Sequence, residues 1–279
     1  MHNSTAQHGA DLSDLAAAGD DDIDLALSAL RIAMIDYPQL EPSIWLLELD
    51  RLAERARRLA PGTSPDALLR GLDAALFAEG GFHGNVAAYY DPRNSFLNDV
   101  LERRQGIPIT LSVVYVEVGR RLGLPVAGVA FPGHFLVSYF GTAPAEIIDP
   151  FHCGTRLDES ACLELLHNAT GSSGALTREM LAPATHRQIL MRMLNNLKMT
   201  YMKKGDLVRA VGTMDRILQI SPGEVAQFRD RGLAFFQLGD SKRALRDLKA
   251  YAEQSADQAD RETVESVIGA AYRALANLN

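Results

Sequence analysis

Cysteine is scarce in this chain, with only Cys153 and Cys162 among 279 residues. A chain of this length buries enough apolar surface to fold without covalent staples, and two thiols do not make a zinc framework. Basic clusters are missing too. The 28 Lys and Arg residues are outnumbered by 35 Asp and Glu, and the net charge of −7 is spread along the chain. That balance argues against broad electrostatic attraction to nucleic acid or to an anionic membrane. No apolar run approaches the length needed to span a bilayer. The opening "MHNSTAQHGADLSDLAAAGDDD" has neither the basic n-region nor the apolar h-region of a secretory signal. No glycine loop of the phosphate-cradling type occurs, and no cofactor is expected. These absences leave a cytoplasmic globular protein, long enough for two domains, with residues 1–21 expected as a flexible tail.

The first folded stretch is expected to be helical. "DIDLALSALRIAMIDYP" sets Ile23, Leu27, Leu30 and Met34 on one face behind an acidic first turn. "EPSIWLLELDRLAERARRLAPG" spaces Trp45, Leu49, Leu52, Ala56 and Leu59 helically and ends at Pro61-Gly62. In "SPDALLRGLDAALFAEGG", Ser64 is an N-cap and Pro65 takes the first helical position. Turn chemistry at Asp91-Pro92 and Asn94-Ser95 leads into a short helix, "NSFLNDVLERRQG", expected to end at Gly106. "ITLSVVYVEVGRRLG" then places Leu111, Val114, Tyr115, Val118 and Leu122 so that a helix would be apolar on most sides, and therefore buried.

After Pro125 the period changes. "VAGVAF", "HFLVSYF" and "AEIIDPF" are short, rich in β-branched and aromatic residues, and separated by turns. They predict a small antiparallel sheet packed on the preceding helix, an α+β arrangement that is mostly helical. "GTRLDESACLELLHNATGSSG" reads as a short helix followed by a flexible join.

From about residue 186 the chain is helical and repeats. Tyr201 and Phe235, Gly205 and Gly239, Asp206 and Asp240, Ala210 and Ala244, and Met214 and Leu248 are each 34 residues apart. An aromatic, then Gly-Asp, then a small Ala at that period resembles tetratricopeptide repeats, in which paired helices approach over the alanine and turn at the glycine. Pro222 closes the first unit; Ala256 stands at the equivalent place in the second. "DRETVESVIGAAYRALANL" is expected as the capping helix of the stack.

The chemistry concentrates in "GHFLVSY" and "IIDPF". If these lie on adjacent strands, His134 can serve as a general base with Asp149 holding its tautomer and stabilising its protonated form. Spacing alone favours the plainer account, in which His134 ends a strand and Asp149 opens a turn before Pro150. An acyl-transfer enzyme would also need a thiol or hydroxyl within reach.

"YYDPRNSFLNDVLERRQGIPITLSVVYVEVGRRLGLPVAGVAFPGHFLVSYF", followed by "IIDPFHCG", resembles the transglutaminase-like domain of the bacterial SirB family, and the repeats resemble that family's tetratricopeptide tail. The resemblance spans roughly residues 22–275 and implies a transglutaminase-like (papain-like) domain over 22–182, with repeats and a cap over 183–279. In the wider transglutaminase and papain-like core, a cysteine opens the buried helix, Gly-Ile-Pro follows, then a strand histidine and Asp-Pro. Gly123-Leu124-Pro125, His134 and Asp149-Pro150 match the later parts of that pattern. The cysteine does not carry over: its place falls on Pro108, which has no nucleophilic side chain.

Three substitute nucleophiles remain. Thr110 and Ser112 sit on the first turns of the same helix, where the dipole favours developing negative charge, although capping explains them as well. Cys153 follows Asp149 by four residues and carries the more nucleophilic group, but beyond the strand and not at the helix. Cys162 reads as an apolar helix position. Asn94, Asn98 and Asp99 can line the same cleft or serve turns and caps. Arg103 and Arg104 can form a carboxylate-binding edge or a charged helix end. His83 reads as a loop residue. His152 and Cys153 as metal ligands lack visible partners, so no metal site is expected. Two functions follow. One is a non-catalytic module that binds a protein or peptide through its repeats. The other is a hydrolase or acyl transferase that uses His134 and Asp149 with a replaced nucleophile.

Overall fold

The computed structural model describes residues 11–171, 174–255 and 260–277. The chain divides into two compact units, one of Gly19–Met193 and one of Asp11–Ala18 with the chain from Leu194 onward. No helix among the described residues is long and apolar enough to cross a membrane.

In the first unit, α1 (Leu25–Ala33) is capped by Asp24, whose carboxylate accepts from Leu27 N at 2.9 Å. Its buried surface is wider than the single stripe expected: Leu25, Ala26, Ala29, Leu30, Ile32 and Ala33 are all buried, while Leu27 is only half-buried. α2 (Pro42–Leu59) buries Leu49, Leu52, Ala53 and Ala56. α3 (Pro65–Asp73) begins as expected, with Ser64 accepting from Ala67 N, and runs into a π turn at Ala74–Ala78. α2 and α3 cross closely at Gly71, where an added Cβ would lie 2.3 Å from the Ala56 carbonyl oxygen.

α4 (Leu97–Arg103) ends one turn earlier than its glycine suggested. Arg104 takes the left-handed terminating conformation at φ 61°, and Gly106 instead pairs in a short strand. That strand, β2 (Gln105–Gly106), runs parallel to β1 (His83–Gly84). α5 (Pro108–Arg121) is the buried helix expected, enclosed from Pro108 to Gly119, and the chain turns out of it at Gly123 with φ 77°.

β3 (Val126–Val129), β4 (Leu136–Tyr139) and β5 (Glu146–Asp149) form the antiparallel meander, packed on α5. A fourth strand, β6 (Thr155–Leu157), joins its edge with Asp149 opposite Thr155. The sequence gives "TRL" no strand signal, because three residues are too few to display a period of two. The helix starts later, as α6 (Glu159–Thr170), capped by Asp158 and closed by Gly171. Sheet and α6 bury Val129, Phe131, Leu136, Ile147, Cys162 and Leu166 together, so Cys162 is a core residue. Burial pushes its thiol up from the ordinary value, as does the nearby Asp158 charge. The flexible join was expected across residues that include 172–173, which lie outside the described residues.

The expected N-terminal tail is folded from Asp11. Residues 1–10 lie outside the described residues. A short helical turn, Ser13–Ala16, packs in the second unit with Leu12 and Leu15 buried. In the first unit, Asp20 caps α7 (His186–Lys204) from a distance in sequence. Its carboxylate accepts from His186 N at 2.9 Å and Arg187 N at 3.0 Å. Burial would raise the Asp20 carboxyl, but these backbone donors outweigh burial and hold it below its usual range.

α7 passes from the first unit into the second, the division falling after Met193. The second unit continues with α8 (Leu207–Ile220), α9 (Val225–Gln237), α10 (Ser241–Gln254) and α11 (Arg261–Ala276). The period of 34 is kept down to its caps. Gly205 and Gly239 take φ 71° and 79°. Asp206 accepts from Arg209 N and Asp240 from Arg243 N, at 3.1 and 3.0 Å. Tyr201, Phe235, Met214, Leu248, Ala210 and Ala244 are all buried. α9 and α10 approach over Gly232, where a Cβ would meet Leu248 at 2.7 Å. Ala256 lies outside the described residues.

Candidate functional site

β4 and β5 are neighbours, and this adjacency sets the site. His134 stands just before β4, in a turn that Gly133 permits with φ 68°, and Asp149 is the last residue of β5. His134 Nε2 lies 2.9 Å from Asp149 Oδ2. The Asp149 side chain is 1% exposed and that of His134 12%.

Asp149 has a second imidazole on the same oxygen. The turn Pro150–His152 brings His152 Nδ1 to 2.7 Å from Oδ2, and the two imidazoles stack with their centroids 6.0 Å apart. Oδ1 is held separately by Phe151 N at 3.0 Å. Burial raises the Asp149 carboxyl, but the hydrogen bonds and charges of His134 and His152 win, and its pKa lies below the ordinary value. His134 Nδ1 makes no hydrogen bond to the described residues.

Two further groups shape the surroundings. The Phe151 ring meets His134 edge-on at 6.0 Å and packs over Gly84, where a Cβ would lie 2.5 Å from the ring. Arg192, from α7, donates to the Phe131 carbonyl with both terminal nitrogens at 3.1 Å and to the His134 carbonyl at 2.6 Å. Its guanidinium lies over the Phe135 ring at 5.4 Å and thus pins the backbone that carries His134.

The hydroxyls on α5 are already engaged. Pro108 is the first residue of the helix and is buried. Thr110 donates to the Asn94 carbonyl at 2.7 Å and accepts from Ile107 N at 3.2 Å, closing the helix start. Ser112 is fully buried and points its Oγ at the Phe135 carbonyl, at a long 3.4 Å. Cys153 follows the Pro150–His152 turn at φ 54°, and its Sγ faces the Phe82 carbonyl at 3.8 Å.

Most of the remaining candidates bond other parts of the chain. Asn94 is fully buried; its side chain accepts from Asn85 Nδ2 at 3.0 Å and donates to the carbonyls of Ala88 and Tyr89. Asp99 accepts from the Tyr37 hydroxyl at 2.8 Å, and burial together with that carboxylate pushes the Tyr37 phenol up to about 12. Asn98 is buried on α4. Arg104 pairs with Glu48 at 2.8 Å and Arg103 lies 3.7 Å from Asp91. His83 belongs to β1 and bonds the Gly81 carbonyl through Nδ1 at 2.8 Å.

The sequence profile of the transglutaminase-like superfamily matches residues 44–195, more than half of the chain, and that of the tetratricopeptide repeat matches residues 197–269. A UPF0162 protein of Xylella fastidiosa strain Temecula1 is 40% identical over 245 residues, covering 86% of this chain and 87% of the relative. The chain belongs to the UPF0162 family. UPF0162 protein YchA of Escherichia coli K12 is 30% identical over 79% of this chain and 82% of its own length. Protein SirB1 of Salmonella typhimurium is 29% identical over the same shares. The family resemblance read from "GIPITLS", "GHFLV" and "IIDPF" is thereby shown, as are the transglutaminase-like domain and the repeats after it.

Within this member of the family, Phe151 and Arg192 escaped the sequence reading, and His152 was weighed only as a metal ligand beside Cys153, not as a partner of Asp149. His152 had a signal: it lies three residues past Asp149 and shares its turn. Arg192 had none, because it reaches the His134 carbonyl from 58 residues away, on the part of α7 that belongs to the first unit.

Proposed function

We propose that the protein is a non-catalytic binding module, with a transglutaminase-like domain that keeps a histidine–carboxylate pair but has no attacking atom. One observation carries this reading: Pro108 opens the buried helix where the nucleophile would stand, and the nearby hydroxyls of Thr110 and Ser112 bond backbone carbonyls. Catalysis by general base requires a nucleophile whose proton the imidazole can take at hydrogen-bond range. Thr110 spends its one donor on the Asn94 carbonyl and accepts from Ile107 N at the helix start. Using it would unmake that start.

Binding would fall to the repeats. α8, α9 and α10 contribute to a cavity of about 620 Å³ lined by Asp215, Phe228, Arg231, Phe235, Arg243 and Arg246 among others. Its arginine and phenylalanine side chains suit an extended or helical peptide that carries both acidic and apolar side chains. Neither nucleic acid nor membrane is a partner in this reading.

A hydrolase or acyl transferase is the competing account, favoured by the 2.9 Å contact between His134 and Asp149. A fluorophosphonate, which traps activated hydroxyls, separates the two. Incubation with the full chain at neutral pH is expected to leave the intact mass unchanged. A single adduct that Ser112→Ala or Thr110→Val abolishes would assign a working nucleophile and end the binding-module reading.

A further inference from the structure

His134, Asp149 and His152 bring three donor atoms within 4.8 Å of one another. Nε2 of His134 and Nδ1 of His152 already lie 2.9 and 2.7 Å from the same carboxylate oxygen. We propose that these three side chains form a binding site for a divalent transition-metal ion such as Zn²⁺ or Co²⁺.

The donor set is of the right kind. Two imidazoles and one carboxylate suit first-row divalent metals, whereas calcium and magnesium prefer all-oxygen shells. Metal–nitrogen and metal–oxygen bonds of about 2.0–2.2 Å put donors on adjacent octahedral positions about 3 Å apart. The two nitrogen–oxygen spacings meet that requirement, and only the nitrogen–nitrogen spacing must close. His152 can provide this movement, because its side chain is 59% exposed.

The carboxylate is aimed beforehand. Phe151 N holds Oδ1, so Oδ2 faces both rings without a conformational search. Arg192 fixes the His134 carbonyl, and with it the strand entry that sets the first imidazole. The exposed side of His152 leaves room for water to complete the shell.

Protons balance simply. Each neutral imidazole that donates a proton to Oδ2 moves that proton to its other ring nitrogen, Nδ1 in His134 and Nε2 in His152. The freed lone pairs then bind the ion, with no net proton released. A protonated ring would have to lose a proton first, so acid weakens the site. His152 with Cys153 showed no third ligand in the sequence; the fold supplies His134 and Asp149, and Cys153 lies outside the donor set.

The site does not depend on whether a nucleophile exists, so its failure would leave that question where it stands. The test is equilibrium dialysis of the full chain against Zn²⁺ at neutral pH, with the visible absorption of Co²⁺ as a spectroscopic check. One equivalent is expected to bind to the wild type. His152→Ala removes one ligand from an exposed position, and is expected to weaken binding at least about tenfold with unchanged circular dichroism. Cys153→Ser should leave affinity within about twofold. Absence of stoichiometric binding, or binding that His152→Ala leaves unchanged, would overturn the proposal.

Discussion

Replacing Arg231 with methionine is expected to destabilise the repeat unit by about 3–5 kcal/mol, the usual cost of removing one partner from a buried ion pair. Arg231 lies on α9 with its side chain 11% exposed, and it donates to Asp247 on α10 through Nε at 2.5 Å and Nη2 at 3.0 Å. Asp247 is 1% exposed. The remaining guanidinium nitrogen reaches Asp215 on α8 at 2.6 Å, so one side chain ties three consecutive helices together. Methionine fills most of the volume but leaves the Asp247 carboxylate buried beside Arg246, which is 63% exposed and cannot replace a two-point contact. Amide exchange in peptides covering Val225–Gln254 of the full chain reads the effect. Opening should become roughly 10²–10⁴ times more frequent. Pairing the change with Asp247→Leu should recover much of the loss, because the stranded charge is then gone.

Asp149→Asn comes next in size, at about 2–3 kcal/mol, the worth of hydrogen bonds to a charged group. The carboxylate is buried and accepts from Phe151 N as well as contacting both imidazoles. Asparagine keeps the acceptor for Phe151 N but turns an amide N–H₂ toward rings that themselves present N–H groups. The sign with pH follows from the lowered folded-state pKa. An unfolded carboxyl titrates near about 3.9, so the wild-type advantage is complete above that pH and vanishes as the pH falls through the lower folded value. Urea denaturation with a chelator present should therefore separate wild type from Asp149→Asn at pH 7 and bring them together in strong acid. A gap that persisted or grew on acidification would contradict the charge-based origin.

Local rules made much of this molecule readable. Ser64 and Pro65, the Gly-Asp pairs at 205–206 and 239–240, and the apolar sides of Leu111 to Leu122 each act within a few residues of themselves. Their expected elements are present. Tyr201 with Phe235 and Ala210 with Ala244 carried the repeat across 34 residues because the same contact is made twice. Where the reading fell short, the deciding contact came from elsewhere. Arg104 ends α4 in a left-handed conformation while its guanidinium pairs with Glu48 and lies over Phe82, contacts that no helix signal encodes. β6 is three residues long and owes its pairing to β5. Leu12 and Leu15 were lost in an acidic, alanine-rich opening, although both are buried once folded.

The site divides the same way. His134 and Asp149 could be paired in advance because a short meander places consecutive strands side by side. The second imidazole on Asp149 could not be weighed until the turn at Pro150–His152 was seen to fold back on the carboxylate. The hydroxyls of Thr110 and Ser112 could be read from the sequence as helix-start caps or as nucleophiles; Thr110 does close the helix start on Ile107, and both also meet carbonyls far off in sequence, at Asn94 and Phe135.

The account rests on an imidazole and a carboxylate without a thiol or hydroxyl to activate, and Cys153 is the side chain whose behaviour decides it. The direct measurement is the rate of Cys153 alkylation by iodoacetamide at neutral pH, followed by peptide mass spectrometry in wild type and in His134→Ala. Equal rates, within about twofold, are predicted. A fast, selective reaction in the wild type that slows by about tenfold or more without the imidazole would mean that His134 activates a thiolate, and the non-catalytic reading would be wrong.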